Sequence, residues 1–86
     1  MPQGKLSSGI LEVDIHGMKA YQAQVFIDNQ LKKVDRSVYR IRVIHGYHGG
    51  TSLKEMVHLE YRCHPKVLRI ENGSNEGITE LVLREL

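Results

Sequence analysis

The sequence predicts an α/β domain of the α+β two-layer sandwich kind, with a four-stranded mixed sheet backed by two helices in the order β-α-β-α-β-β. Three observations predict it. The spacing of apolar residues switches back and forth between the period of a strand and that of a helix. Glycine or proline stands at most of the switches. A length of 86 residues allows one compact core that hides roughly 60–65% of the unfolded chain's surface, so an active site is expected as a surface groove.

Residues 1–9 are rich in Gly, Ser and Lys and read as a flexible lead-in, leaving residues 10–86 as the single domain. Ile10 to Ile15 is rich in β-branched residues and bounded by Gly9 and Gly17, which suits a first strand. From Met18 the spacing turns helical, with Ala20, Ala23, Ile27, Leu31 and Val34 on one stripe. Val38 to Ile44 alternates apolar with basic residues and reads as a second strand. The loop His45-Gly46-Tyr47-His48-Gly49-Gly50 follows. Ser52 and Glu55 form a capping-box pattern ahead of a second helix whose buried stripe is Leu53, Met56, Val57 and Tyr61, and His64-Pro65 ends it. Val67 to Ile70 and Ile78 to Leu83 are two further strands joined by a turn rich in Asn and Gly.

Composition excludes several classes. Cys63 is the only cysteine, which rules out an internal disulfide and any cysteine-based zinc finger. A cytoplasmic location is expected, with no export signal and no membrane span, because nowhere do 18 apolar residues run together. Twelve Lys and Arg against ten Asp and Glu give a net charge of +2, which permits a nucleic-acid partner without requiring one.

In the expected topology the carboxyl ends of the strands share one edge of the sheet, where open α/β folds bind ligands. That edge collects Asp14, His16 and Gly17, then the loop from His45 to Gly50, then Asn72 to Gly77. A carboxylate two residues from an imidazole on extended chain makes a workable acid–base pair, and it is equally what a capped turn would use. Gly46, Gly49 and Gly50 let backbone approach a ligand at a helix N-terminus that favours phosphate, or they serve only as a tight connector. His45 and His48 are candidates to bind that phosphate or donate a proton, and Tyr47 to stack on a base or to pack. Asp14, His16, His45 and His48 are enough in kind for a transition metal, although their spacing fixes no geometry. Arg40, Arg42, Lys54, Lys66 and Arg69 are candidate phosphate contacts or a solvated sheet face, while His58 and His64 read as exposed.

Val13-Asp14-Ile15-His16-Gly17, followed by a helix and then by Val43-Ile44-His45-Gly46 with a Gly-rich loop, resembles the small MutS-related, or Smr, domain, in the form of its short stand-alone bacterial members. The likeness runs from about Leu11 to Leu83. Val13 stands where the signature has Leu, and His48 where it has the central Gly of the loop. The resemblance implies a fold similar to the C-terminal domain of translation initiation factor three, nucleic-acid binding, and in several members endonuclease activity on DNA or RNA. It makes Asp14 and His16 the catalytic pair, with His45 and Gly46 in the loop motif.

The leading expectation is therefore an endonuclease cutting phosphodiester bonds of DNA or RNA. His16, oriented by Asp14, would move a proton, His45 or His48 would be the complementary donor, and Gly46, Tyr47, His48, Gly49, Gly50 and Lys54 would hold the nucleic acid. With a 2′-hydroxyl as nucleophile no metal is needed; with water as nucleophile Asp14 is the natural ligand for magnesium or manganese. The alternatives are a nucleic-acid-binding module without catalysis, for RNA or branched DNA, and a protein-interaction domain with a vestigial site.

Overall fold

A computed structural model describes residues 4–46 and 52–85 of the chain. Among these residues run strand β1 (Gly4–Ser7), β2 (Ile10–Asp14), helix α1 (Ala20–Lys33), β3 (Arg40–Ile44), α2 (Ser52–Tyr61), β4 (Arg69–Asn72) and β5 (Ile78–Val82). The two-layer α/β expectation holds, with one correction to the sheet. It has five strands instead of four, in the order β1-β2-β3-β5-β4. The added strand comes from the stretch expected as a lead-in: Gly4–Ser7 pairs antiparallel with β2 from Gly4 opposite Val13 to Ser7 opposite Ile10. A tight turn through Ser8 and Gly9, both at positive φ, makes that hairpin.

β2 and β3 pair in parallel, in register from Ile10 with Arg40 to Asp14 with Ile44. The final hairpin folds back so that β5 lies antiparallel between β3 and β4. The carboxyl ends of β2, β3 and β4 therefore meet the start of β5 at a single edge.

Strand parity decides what faces the helices. Leu11 and Val13 of β2, Ile41 and Val43 of β3 and Leu81 of β5 are buried, with Ala23, Ile27 and Leu31 of α1 and Val57 and Tyr61 of α2 packed over them. Helix α1 starts two residues later than the spacing suggests, because Met18 is held in a turn by its N–H donating to the Ile15 carbonyl at 3.0 Å. Gln22 then reaches back to accept from the Lys19 N–H at 3.3 Å. At the other end, the Lys66 ammonium donates to the Leu31 carbonyl at 2.7 Å, closing one of the carbonyls a helix C-terminus leaves unpaired. Tyr61, 1% exposed, ties the helices together by donating its hydroxyl to Asp28 Oδ1 at 2.7 Å, with the Gln24 carbonyl also 3.0 Å away. Burial first, and the Asp28 carboxylate after it, push that phenol well above its ordinary pKa.

Among the described residues no helix packs on the opposite sheet face, which carries paired charges instead. Arg40 reaches both Glu80 and Glu71, Arg42 holds Glu80 Oε2 at 3.0 Å and lies 3.9 Å from Glu12, and Arg69 bridges Glu71 and Glu85. The hydrogen bond to Glu80 holds the Arg40 guanidinium above its ordinary pKa against partial burial. Arg69 first and Arg40 second hold the Glu71 carboxyl below the usual range. No helix among the described residues is long and apolar enough to cross a membrane.

Candidate nucleic-acid site at the strand ends

Three separated segments converge at the edge where β2 and β3 end. The Ile15 N–H donates to the Ile44 carbonyl at 2.9 Å, carrying the parallel pairing one residue past β2. The His45 and Gly46 N–H groups both donate to the Gly77 carbonyl, at 2.9 and 3.0 Å, which draws the β4–β5 turn against the end of β3. A methyl group built on Gly46 would lie 3.5 Å from the Cβ of His16, so these two residues sit side by side. Gly17 and Gly46 adopt φ of +79° and +76°, the left-handed region where a side chain is strained, which is the local reason for a glycine after each histidine.

Asp14 and His16 form the expected pair. Asp14 Oδ1 lies 2.5 Å from His16 Nδ1 and also accepts from the His16 N–H at 3.1 Å. The turn-capping and acid–base arrangements are thus the same structure: the carboxylate that closes the turn also grips the ring. A carboxylate cannot donate, so Nδ1 carries the proton of a neutral imidazole and Nε2 keeps the lone pair. Both side chains are open to solvent, at 45% for Asp14 and 69% for His16.

His45 lies elsewhere than the sequence suggests. Continuing the parity of Ile41 and Val43, it turns toward the helices and is only 5% exposed. Its Nδ1 lies 2.9 Å from the Gly46 carbonyl oxygen and its Nε2 2.8 Å from Thr79 Oγ1. The ring suggested as a proton donor or charge stabiliser is thus buried, with both nitrogens engaged by Gly46 and Thr79. His58 is corrected as well. It is half-buried, its Nε2 stands 3.4 Å from Thr79 Oγ1, and burial, then Lys54 and His45, hold its pKa below the ordinary value. His64 is also half-buried: it accepts from the Lys66 N–H at 3.1 Å and leans on Tyr61.

Lys54, in the first turn of α2, lines a cleft of about 370 Å³ with Asn72, Gly73, Asn75, Glu76 and Ile78 beside this edge. Asn75 Oδ1 accepts from the Gly77 N–H at 2.8 Å and so shapes the turn. Arg40, Arg42 and Arg69 are committed to carboxylates, and Lys66 to α1, so they are not at the site. Tyr47, His48, Gly49 and Gly50 lie outside the described residues, and Ser52 is the first residue of α2. Among the described residues no three His, Cys, Asp or Glu side chains converge to hold a metal ion. Asp14 is a single carboxylate whose Oδ1 is engaged by His16, and magnesium or manganese on it would draw its remaining ligands from water and substrate phosphate.

Thr79, which the sequence places at the entry to the last strand with Gly77 and Ile78 as similar to the closing element of the Smr domain, was not read as part of the site. Its signal is parity: it faces the helices with Leu81, and a polar side chain on a buried strand face calls for a partner.

A profile of the Smr domain family matches residues 13–83. The chain belongs to the Smr domain family. The match takes in both histidine–glycine segments, all of α1 and α2 and the closing hairpin, and the family is one of nucleic-acid-binding domains with which nuclease activity is associated. The Smr domain of Thermus thermophilus MutS2, known from a crystal structure, is similar in fold, with a TM-score of 0.76 at 23% identity over 86% of this chain and 98% of that one. Curated protein sequences gave no match.

Proposed function

We propose that this Smr domain binds nucleic acid at the strand ends and cuts its phosphodiester backbone, with His16 as the proton acceptor and Asp14 as the residue that orients it. The observation that carries the reading is the 2.5 Å contact between Asp14 Oδ1 and His16 Nδ1 on a ring that is 69% exposed. Such a contact fixes the tautomer and orients the ring, and it leaves Nε2 accessible.

RNA is the polymer that asks least of these residues. His16 Nε2 takes the proton of a 2′-hydroxyl, the 2′-oxygen attacks the adjacent phosphorus, and the 5′-oxygen of the next nucleotide leaves with a 2′,3′-cyclic phosphate behind it. The leaving oxygen needs a proton, and His48 is the side chain the sequence offers for it, since His45 is buried. On DNA, water replaces the 2′-hydroxyl and His16 accepts its proton instead. Lys54 lines the cleft beside the β4–β5 turn and, in this reading, would meet a flanking phosphate.

The test is cleavage of end-labelled RNA and of supercoiled plasmid, with magnesium, manganese or chelator, by wild-type protein and a His16→Gln variant purified identically. We expect RNA cleavage that survives chelator and falls by roughly 10²–10⁴-fold in the variant, the usual contribution of general acid–base catalysis. Equal cleavage by both proteins would remove His16 from the reaction. Absent cleavage, with binding that weakens by roughly 0.7 log units per log unit of salt for each phosphate contacted on a single strand, would make this a binding module.

A further inference from the structure

One chain of hydrogen bonds runs through the interior to the residue beside His16 and has no part in the proton transfer above. It begins at the Gly46 carbonyl, 2.9 Å from His45 Nδ1, passes from His45 Nε2 to Thr79 Oγ1 over 2.8 Å, and ends at His58 Nε2, 3.4 Å further on. Its members come from the end of β3, from β5 and from α2.

The donors can be assigned because a carbonyl oxygen only accepts. His45 Nδ1 must carry hydrogen to satisfy Gly46, so in the neutral ring Nε2 has a lone pair and the Thr79 hydroxyl donates to it. The Thr79 oxygen then accepts from His58 Nε2–H across the longer gap. Thr79 is fully buried and His45 nearly so, and no buried side-chain polar atom among the described residues lacks a partner. Without the Thr79 hydroxyl, Nε2 would be stranded in a dry interior, and the ring would gain by swinging out to water and releasing the Gly46 carbonyl. Gly46 is held at two points, its carbonyl by His45 and its N–H by the Gly77 carbonyl, in a conformation at φ of +76° that glycine adopts without strain. It is also the residue that abuts His16.

We propose that Thr79, anchored by His58, is a positioning residue of the site: its hydroxyl locks the buried His45 ring, which holds the Gly46 peptide against His16. The catalytic consequence rests on the cleavage reading, whereas the locking itself does not. Nothing in the chain needs to touch substrate, and Thr79 acts only through His45 and Gly46.

The experiment uses the full 86-residue chain, uniformly labelled with ¹⁵N, and reads its histidine rings by long-range ¹H–¹⁵N correlation at neutral pH. In the wild type we expect His45 with hydrogen on Nδ1, that proton protected from exchange with water, and Nε2 bare. Thr79→Val, which keeps the shape and removes the hydroxyl, should lose the protected proton and lower kcat for RNA cleavage by up to roughly a hundredfold, the scale of a small misplacement. KM should stay unchanged, and Thr79→Ser should restore both signals. His58→Ala should speed exchange of the His45 proton without abolishing its signal. Hydrogen on Nε2 of His45 in the wild type would overturn the proposal, and so would a protected Nδ1 proton surviving in Thr79→Val. Unchanged exchange in His58→Ala would remove His58 from it. If Thr79→Val does not fold, the wild-type tautomer and the Thr79→Ser spectrum still decide. If the wild type cuts no nucleic acid, the cleavage reading falls and the ring signals judge the locking alone.

Discussion

Three glycines at the strand ends give a graded test, because alanine meets a different obstacle at each. At Gly17, with φ of +79°, a Cβ would meet no atom within 4 Å, so Gly17→Ala suffers backbone strain alone. At Gly46, with φ of +76°, the new methyl would touch only the His16 Cβ at 3.5 Å, an ordinary contact, so the cost is again strain. A side chain in the left-handed region costs roughly 1–2 kcal/mol, which for a domain of this size lowers Tm by roughly 5–15 °C. Gly73 does not have positive φ, but its Cβ would lie 2.3 Å from Ile78 Cγ2, 2.6 Å from Ile78 Cβ and 2.9 Å from the Ile78 carbonyl oxygen. Those atoms belong to a β-branched residue that also accepts the Gly73 N–H at 2.9 Å, so the hairpin itself has to shift. Gly73→Ala should therefore cost more than either of the others, at or above the roughly 1–3 kcal/mol of ordinary overpacking. Urea denaturation followed by far-ultraviolet circular dichroism ranks the three variants. A loss below about 0.5 kcal/mol at Gly17 or Gly46, the range of neutral surface changes, would refute the strain argument. A Gly73 variant as mild as the other two would refute the close approach of the turn.

The remaining predictions concern charge. Arg40→Ala strands Glu80, whose side chain is 10% exposed, while Arg42 still holds Glu80 Oε2; the expected destabilisation is toward the lower end of the roughly 3–5 kcal/mol seen when a buried pair loses one partner. Its nucleic-acid affinity, measured by fluorescence anisotropy, should not change, and a clear loss would place Arg40 in the interface. His58, which faces Thr79, Lys54 and His45, has a folded pKa below its ordinary 6.5. As pH falls through 6.5 the unfolded chain binds the His58 proton before the folded one does, so stability drops. Urea midpoints on either side of that pH should fall more steeply for the wild type than for His58→Gln, and parallel slopes would contradict the burial of that ring.

Most of the fold was legible because the element-forming signals are local. Ala23, Ile27 and Leu31 recur at helical spacing, and Ile41 and Val43 alternate with arginines, so the order of elements followed from period alone. The edge strand β1 was not legible: Gly4–Ser7 is held by pairing with β2, and nothing in its own composition favours a strand. The insertion of β5 between β3 and β4 is likewise a pairing choice that no single segment encodes. At the site, Asp14 and His16 were legible because they lie two positions apart, with only Ile15 between them. The burial of His45 was equally available, since it continues the inward parity of Val43, but the glycine beside it marked the position as loop. Thr79 and His58 gain their meaning only across 21 residues of chain, through packing of α2 on β5.

The uncovered sheet face explains why an interface at the strand ends is the consistent choice. Three arginines on that face are matched by four glutamates, Glu12, Glu71, Glu80 and Glu85, so the alternating basic pattern of β3 presents no surplus positive charge. A phosphate backbone laid across it would have to displace carboxylates already hydrogen-bonded to the arginines, losing as much electrostatic energy as it gained. The strand ends are the reverse case. There the parallel pairing of β2 with β3 runs out, Gly17 leaves backbone exposed, and His16 stands open to solvent beside a carboxylate already engaged with its own ring. The charge lattice keeps an otherwise bare sheet in water and withholds its arginines from nucleic acid, which leaves the proposed chemistry to the edge where the strands stop.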